Sequence, residues 1–68
     1  MQDRNGIALL IGDITQETQP NLAGVHRLLT IITDVQDMPD YAVVRIQGEN
    51  EPSIYRLQDM VLWERINA

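Results

Sequence analysis

The chain has 68 residues, ten acidic side chains against five basic ones, no cysteine and a formal charge of −5. That length holds one small domain, spanning 1–68, and excludes a two-domain enzyme, a dinucleotide-binding α/β unit and a (β/α)8 barrel. Without cysteine there is no disulfide framework, thiolate nucleophile or Cys-ligated metal centre, and a single histidine excludes an all-His metal site within one protomer.

The basic residues are all arginine (Arg4, Arg27, Arg45, Arg56, Arg65), which removes Schiff-base chemistry and the phosphate-binding lysine of a P-loop. They are scattered along the chain, so no stretch is suited to replacing the counterions of a phosphate backbone. Nucleic acid is not an expected partner. The longest apolar run, 7–11 (IALLI), is five residues, far short of the roughly 18 that span a membrane. The first residues lack the basic and long apolar regions of a secretory signal. A cytoplasmic protein without membrane contact is the expectation.

In chain order, 1–6 read as a frayed terminus and 7–11 as a first strand, ended by Gly12-Asp13. Residues 15–24 (TQETQPNLAG) are polar, with Pro20-Asn21 as a turn signal and Gly24 as a stop, so they read as a long loop. Segment 25–36 carries two periodicities. Leu22, Val25, Leu28, Leu29, Ile32 and Val35 fall at helical spacing, and Asn21 is a good helix cap. Strand alternation places Leu29, Ile31, Thr33 and Val35 on one face, and the β-branched run 30–33 crowds a helix. A strand fits better, because a turn at 37–40 then leads directly into the evident strand 41–46.

Residues 48–52 (GENEP) form a second turn, 53–57 a short strand, 57–60 one helical turn and 61–66 a closing strand. The expected fold is all-β: a small SH3-like barrel of about five short strands, with one helical turn before the last.

From Tyr41 onward the text resembles one family, the plasmid-borne type II dihydrofolate reductases. The resemblance rests on Tyr41-Ala42-Val43, the following Ile54-Tyr55 pair and the closing Trp63-Glu64-Arg65-Ile66-Asn67, with Gly12-Asp13 and Gly24 framing the first loop. It covers about half of the chain and needs a short insertion around Met60. It implies an SH3-like barrel in a homotetramer, whose central pore brings NADPH and dihydrofolate together between Val-Gln-Ile-Tyr walls and a lysine. Here Ile54 and Tyr55 match, Pro52 and Ser53 replace Val and Gln, and Glu17 stands near the place of the lysine. A carboxylate there repels two anionic ligands, which argues against the reductase activity.

Other clusters point to bland roles. Asp34, Asp37 and Asp40 lack the alternation of a calcium loop, and Glu49 with Glu51 sits in a turn unsuited to acid–base work. His26 and Ser53, the one serine, have no evident third partner for a catalytic triad. No catalytic residue, metal ligand or resident cofactor is therefore expected; NADPH enters only with the reductase alternative. Ser53, Ile54 and Tyr55 are the candidate ligand-binding residues, and Met60, Leu62 and Trp63 the candidate interface. The expected function is a small acidic binding or assembly module, homo-oligomeric and open to a protein partner. A domain this small, without disulfide or metal, gains from burying apolar faces between copies.

Overall fold

The computed structural model describes residues 2–67. It is all-β, with β1 at Ile14–Glu17, β2 at Leu28–Val35, β3 at Met38–Ile46, β4 at Ser53–Arg56, a 3-10 helix at Leu57–Leu62 and β5 at Trp63–Arg65. All strand pairings are antiparallel, in one sheet of order β4-β3-β2-β1-β5. Five strands with one helical turn before the last meet the sequence expectation. No helix among the described residues is long and apolar enough to cross a membrane.

Alternation along the strands builds the core, because successive side chains leave a strand on opposite faces. Ala42, Val44 and Ile46 of β3 face inward against Leu29 and Ile31 of β2, and all five are buried. Met60 from the 3-10 helix, Trp63 from β5 and Leu9 from the N-terminal segment complete the cluster, with Tyr55 and Leu57 packed against it. Thr15 is also fully buried, and its hydroxyl donates to the Leu29 carbonyl at 3.3 Å, so this polar group keeps a partner inside.

The contested segment is a strand. Its two periodicities are reconciled by a bulge: Ile31 pairs with Val44 and Thr33 with Val43, leaving Ile32 as an extra residue. Such an insertion bends the strand and deepens sheet twist. The hairpin turn lies at Gln36-Asp37 rather than across 37–40. Asp37 takes a left-handed conformation (φ 63°), which Asp accepts more readily than most residues, and β3 begins at Met38. Pro39, which has no N–H to donate, falls where the register shifts.

The first strand is displaced from the expected position. Residues 7–11 form no strand beyond an isolated bridge between Gln2 and Ala8, and β1 occupies 14–17 instead. Asp13 is the physical reason. Its Oδ2 accepts the Leu10 N–H at 2.9 Å while its own N–H donates to the Leu10 carbonyl at 3.0 Å, turning the chain before the ladder begins. The apolar run buries only Leu9 and leaves Leu10 and Ile11 exposed.

Residues 2–6, which the sequence suggests as a loose end, carry specific bonds. The buried Asp3 carboxylate accepts the N–H groups of Asn5 and Ile7 at 2.9 Å each and that of Arg65 at 3.0 Å. Arg4 N–H donates to the Trp63 carbonyl at 3.4 Å. These contacts cover backbone groups of the short edge strand β5, which would otherwise invite pairing with another chain. Arg65 Nε lies 3.1 Å from Asp13 Oδ2 without pointing at it; the directed bond runs from Arg65 Nη2 to Oδ1 at 3.4 Å.

Candidate functional site

The site is assembled from three segments that lie apart in sequence: the end of β1 with the start of the long loop after it, Tyr55 of β4, and the junction of the 3-10 helix with β5. Glu17 pairs with Trp63 across the β1–β5 ladder. Just beyond it, the N–H and the hydroxyl of Thr18 both donate to the Leu62 carbonyl at 3.0 Å. Two bonds on one acceptor fix the loop against the end of the helix. Between them opens a groove of about 220 Å³, with Pro20 and Leu62 as apolar walls and Tyr55 and Trp63 at its base.

The base is rigid. The rings of Tyr55 and Trp63 stand edge to face, with centroids 6.2 Å apart and planes at 86°, and the indole N–H donates to the Tyr55 hydroxyl at 3.3 Å. Aromatic pairs prefer this arrangement because a positive ring edge meets a negative face. The indole donor is thus already used, and Trp63 is only 2% exposed. The groove offers a ligand apolar contact from Leu62, Pro20 and the Tyr55 ring, with Thr18 and Gln19 as uncharged polar lining residues.

Glu17 closes the groove without lending it a free charge. Its Oε1 accepts from Arg27 Nε and from the Arg27 backbone N–H at 3.1 Å. The Arg27 side chain holds the Glu17 carboxyl below its ordinary range, and Glu17 raises Arg27 in turn. The Glu17 carbonyl lies 2.9 Å from His26 Nδ1 and accepts its proton in the Nδ1–H tautomer. The base of the loop is therefore a closed set of local partners.

The residues singled out in the sequence separate by position. Tyr55 is in the groove, but Ile54 points to the opposite face and is 59% exposed, beside Val43 across the β3–β4 ladder. Ser53, half-buried, donates its hydroxyl to Glu49 at 3.1 Å. Of the three interface candidates, Leu62 is exposed and forms a groove wall, and Trp63 is the buried base. Met60 is fully enclosed in the protomer's own core and presents no surface to a partner, because the 3-10 helix, packed against β3, turns it inward.

Sequence reasoning missed Thr18 and Pro20. The Pro20-Asn21 turn signal marks the loop, but only the fold brings it to Leu62. Among the described residues no three His, Asp or Glu side chains converge to hold a metal ion. Comparison with protein-family models, with curated proteins and with solved structures gives no match.

Proposed function

We propose that this chain is an SH3-like barrel acting as a small binding and assembly module, which docks an apolar side chain of a protein in the Tyr55–Trp63 groove. The strand order supports the barrel: β1 pairs with both β2 and β5, and a 3-10 helix leads into the last strand. The groove itself carries the functional reading. It is preformed, with walls tied by Thr18 and an aromatic base locked by its own hydrogen bond, so little ordering is left for a ligand to supply. Its lining joins the apolar faces of Pro20, Leu62 and Tyr55 to the uncharged polar Thr18 and Gln19, and its one carboxylate is neutralised by Arg27, which favours an uncharged occupant.

The resemblance to the type II reductases gives a second reading, because Glu17 and Tyr55 line one groove as that family's cation and tyrosine line one pore. Here the acid is paired with Arg27, leaving no excess cation for two anionic ligands. Binding therefore ranks ahead of reduction.

Trp63 is the only tryptophan, so its fluorescence reports on this groove alone. Titration with N-acetyl-leucine methylamide is expected to change that emission saturably at millimolar probe, and Leu62→Asp to abolish the change. A linear, unsaturated response identical in the variant would count against the reading.

A further inference from the structure

Resting on the groove reading, we propose that the occupant of the groove is Leu22 of a second copy of this chain, each copy inserting its Leu22 into the other across a two-fold axis. Leu22 is 110% exposed, more than in an extended reference chain, and makes no contribution to its own core. A mobile loop tip would explain such exposure, but this tip is tied. Asn21 Oδ1 accepts the N–H groups of Ala23 at 2.9 Å and Val25 at 3.0 Å. Asn21 N–H donates to the Val25 carbonyl and Gly24 N–H to the Asn21 carbonyl, both at 2.9 Å. Gly24 permits this closure with a φ of 78° that other residues resist. The loop thus presents an apolar side chain to solvent from a tied backbone, so the backbone part of its ordering cost is met before any partner arrives.

Shape and charge select a second copy as that partner. Pro20, a wall of the groove, lies two residues before Leu22, so the projecting side chain and the cavity sit on one loop. A two-fold axis beside that loop sets each Leu22 opposite the other copy's groove, the self-complementary arrangement that closes as a dimer. The groove's roughly 220 Å³ is ample for an isobutyl group, since an apolar cavity of about 150 Å³ accepts benzene. Two chains of charge −5 need a neutral place to meet, and residues 18–26 (TQPNLAGVH) carry no carboxylate and no arginine. The nearest charge, Glu17, is paired with Arg27. Val25 at 49% exposed and Val61 at 53% add apolar surface on the same loop and beside Leu62.

The test is sedimentation velocity of the full chain across a concentration series, with Leu22→Ala, Leu22→Met and Leu62→Asp. The native chain is expected to dimerise in the micromolar range, Leu22→Ala to weaken the dimer at least tenfold, and Leu22→Met to stay within about threefold. Because Leu22 touches nothing in its own protomer, Leu22→Ala leaves far-UV circular dichroism unchanged. A mixture of Leu22→Ala with Leu62→Asp regains one insertion, from the intact Leu22 of the second into the intact groove of the first, and so dimerises more tightly than either variant alone. A native chain that stays monomeric, a dimer indifferent to Leu22→Ala, or a mixture no tighter than its components would overturn the proposal. If the native chain is monomeric yet Trp63 still responds saturably to N-acetyl-leucine methylamide, the groove stands and the Leu22 exchange falls. If both fail, both readings fall.

Discussion

Replacing Asp3 by Ala tests whether the N-terminal segment is part of the fold. The substitution strips one carboxylate acceptor from three backbone N–H groups, those of Asn5, Ile7 and Arg65. Asn5 and Ile7 are exposed, so water takes over much of what they lose. The Arg65 N–H lies on the covered edge of β5 and loses a charged partner; bonds of that kind contribute about 1.5–3 kcal/mol. A loss of about 2–3 kcal/mol is expected, which in a domain this small lowers Tm by roughly 10–20 °C. Burial alone would raise the Asp3 carboxyl. The N–H groups of Arg65, Ile7 and Asn5, together with the Arg65 charge, outweigh it and hold the group below its ordinary value. A depressed carboxylate contributes stability that is fully present above the unfolded value of about 3.9 and is lost as pH falls through the lower folded value. Urea unfolding at pH 7 and near pH 2.5, followed by circular dichroism, should therefore show a large gap between native and Asp3→Ala protein at pH 7 that shrinks in acid. A gap below about 0.5 kcal/mol at pH 7, the range of an indifferent surface change, or one independent of pH, would refute this account of Asp3.

Three further outcomes follow from the same structure. Met60→Ala empties the middle of the core at a cost of about 2–5 kcal/mol, comparable to the whole stability expected of so small a domain; loss of the cooperative thermal transition is the readout. Random duplex DNA should not be retarded at about 0.15 M salt, where the Debye length is about 8 Å, because Arg27 and Arg65 are already paired and the remaining arginines are outnumbered by carboxylates. Incubation with NADPH and dihydrofolate should give no cofactor oxidation above background; robust, trimethoprim-insensitive turnover would overturn the preference for binding over reduction.

Much of the sheet is legible in the sequence because its strands bury one face and keep a period of two. Residues 41–46 read as a strand directly after the turn, and the β-branched run 30–33 favours strand over helix despite apolar residues at helical spacing. The first strand is not legible in the same way. Residues 7–11 are more apolar than 14–17, yet the ladder forms at 14–17 because Thr15 and Gln16 pair on both sides while Asp13 turns the preceding chain. Apolar content marks what is worth burying, whereas pairing partners decide what becomes a strand. The groove is still less visible from sequence: Thr18 and Pro20 meet Leu62 and Trp63 only through the β1–β5 pairing, and no local pattern links them. Tyr55 was singled out beside Ile54, but strand alternation sends the two to opposite faces, so only Tyr55 belongs to the site.

The most direct test of the docking groove is an isotope-filtered NOE experiment on the labelled Leu22→Ala chain, whose groove no second copy's Leu22 fills, with N-acetyl-leucine methylamide as the unlabelled probe. The account predicts cross-peaks from the probe's methyl groups to the ring protons of Tyr55 and the side chains of Leu62 and Pro20, all lost in Leu62→Asp. Cross-peaks confined to other exposed apolar residues, such as Leu10, Ile11 or Ile54, would place binding elsewhere and contradict it.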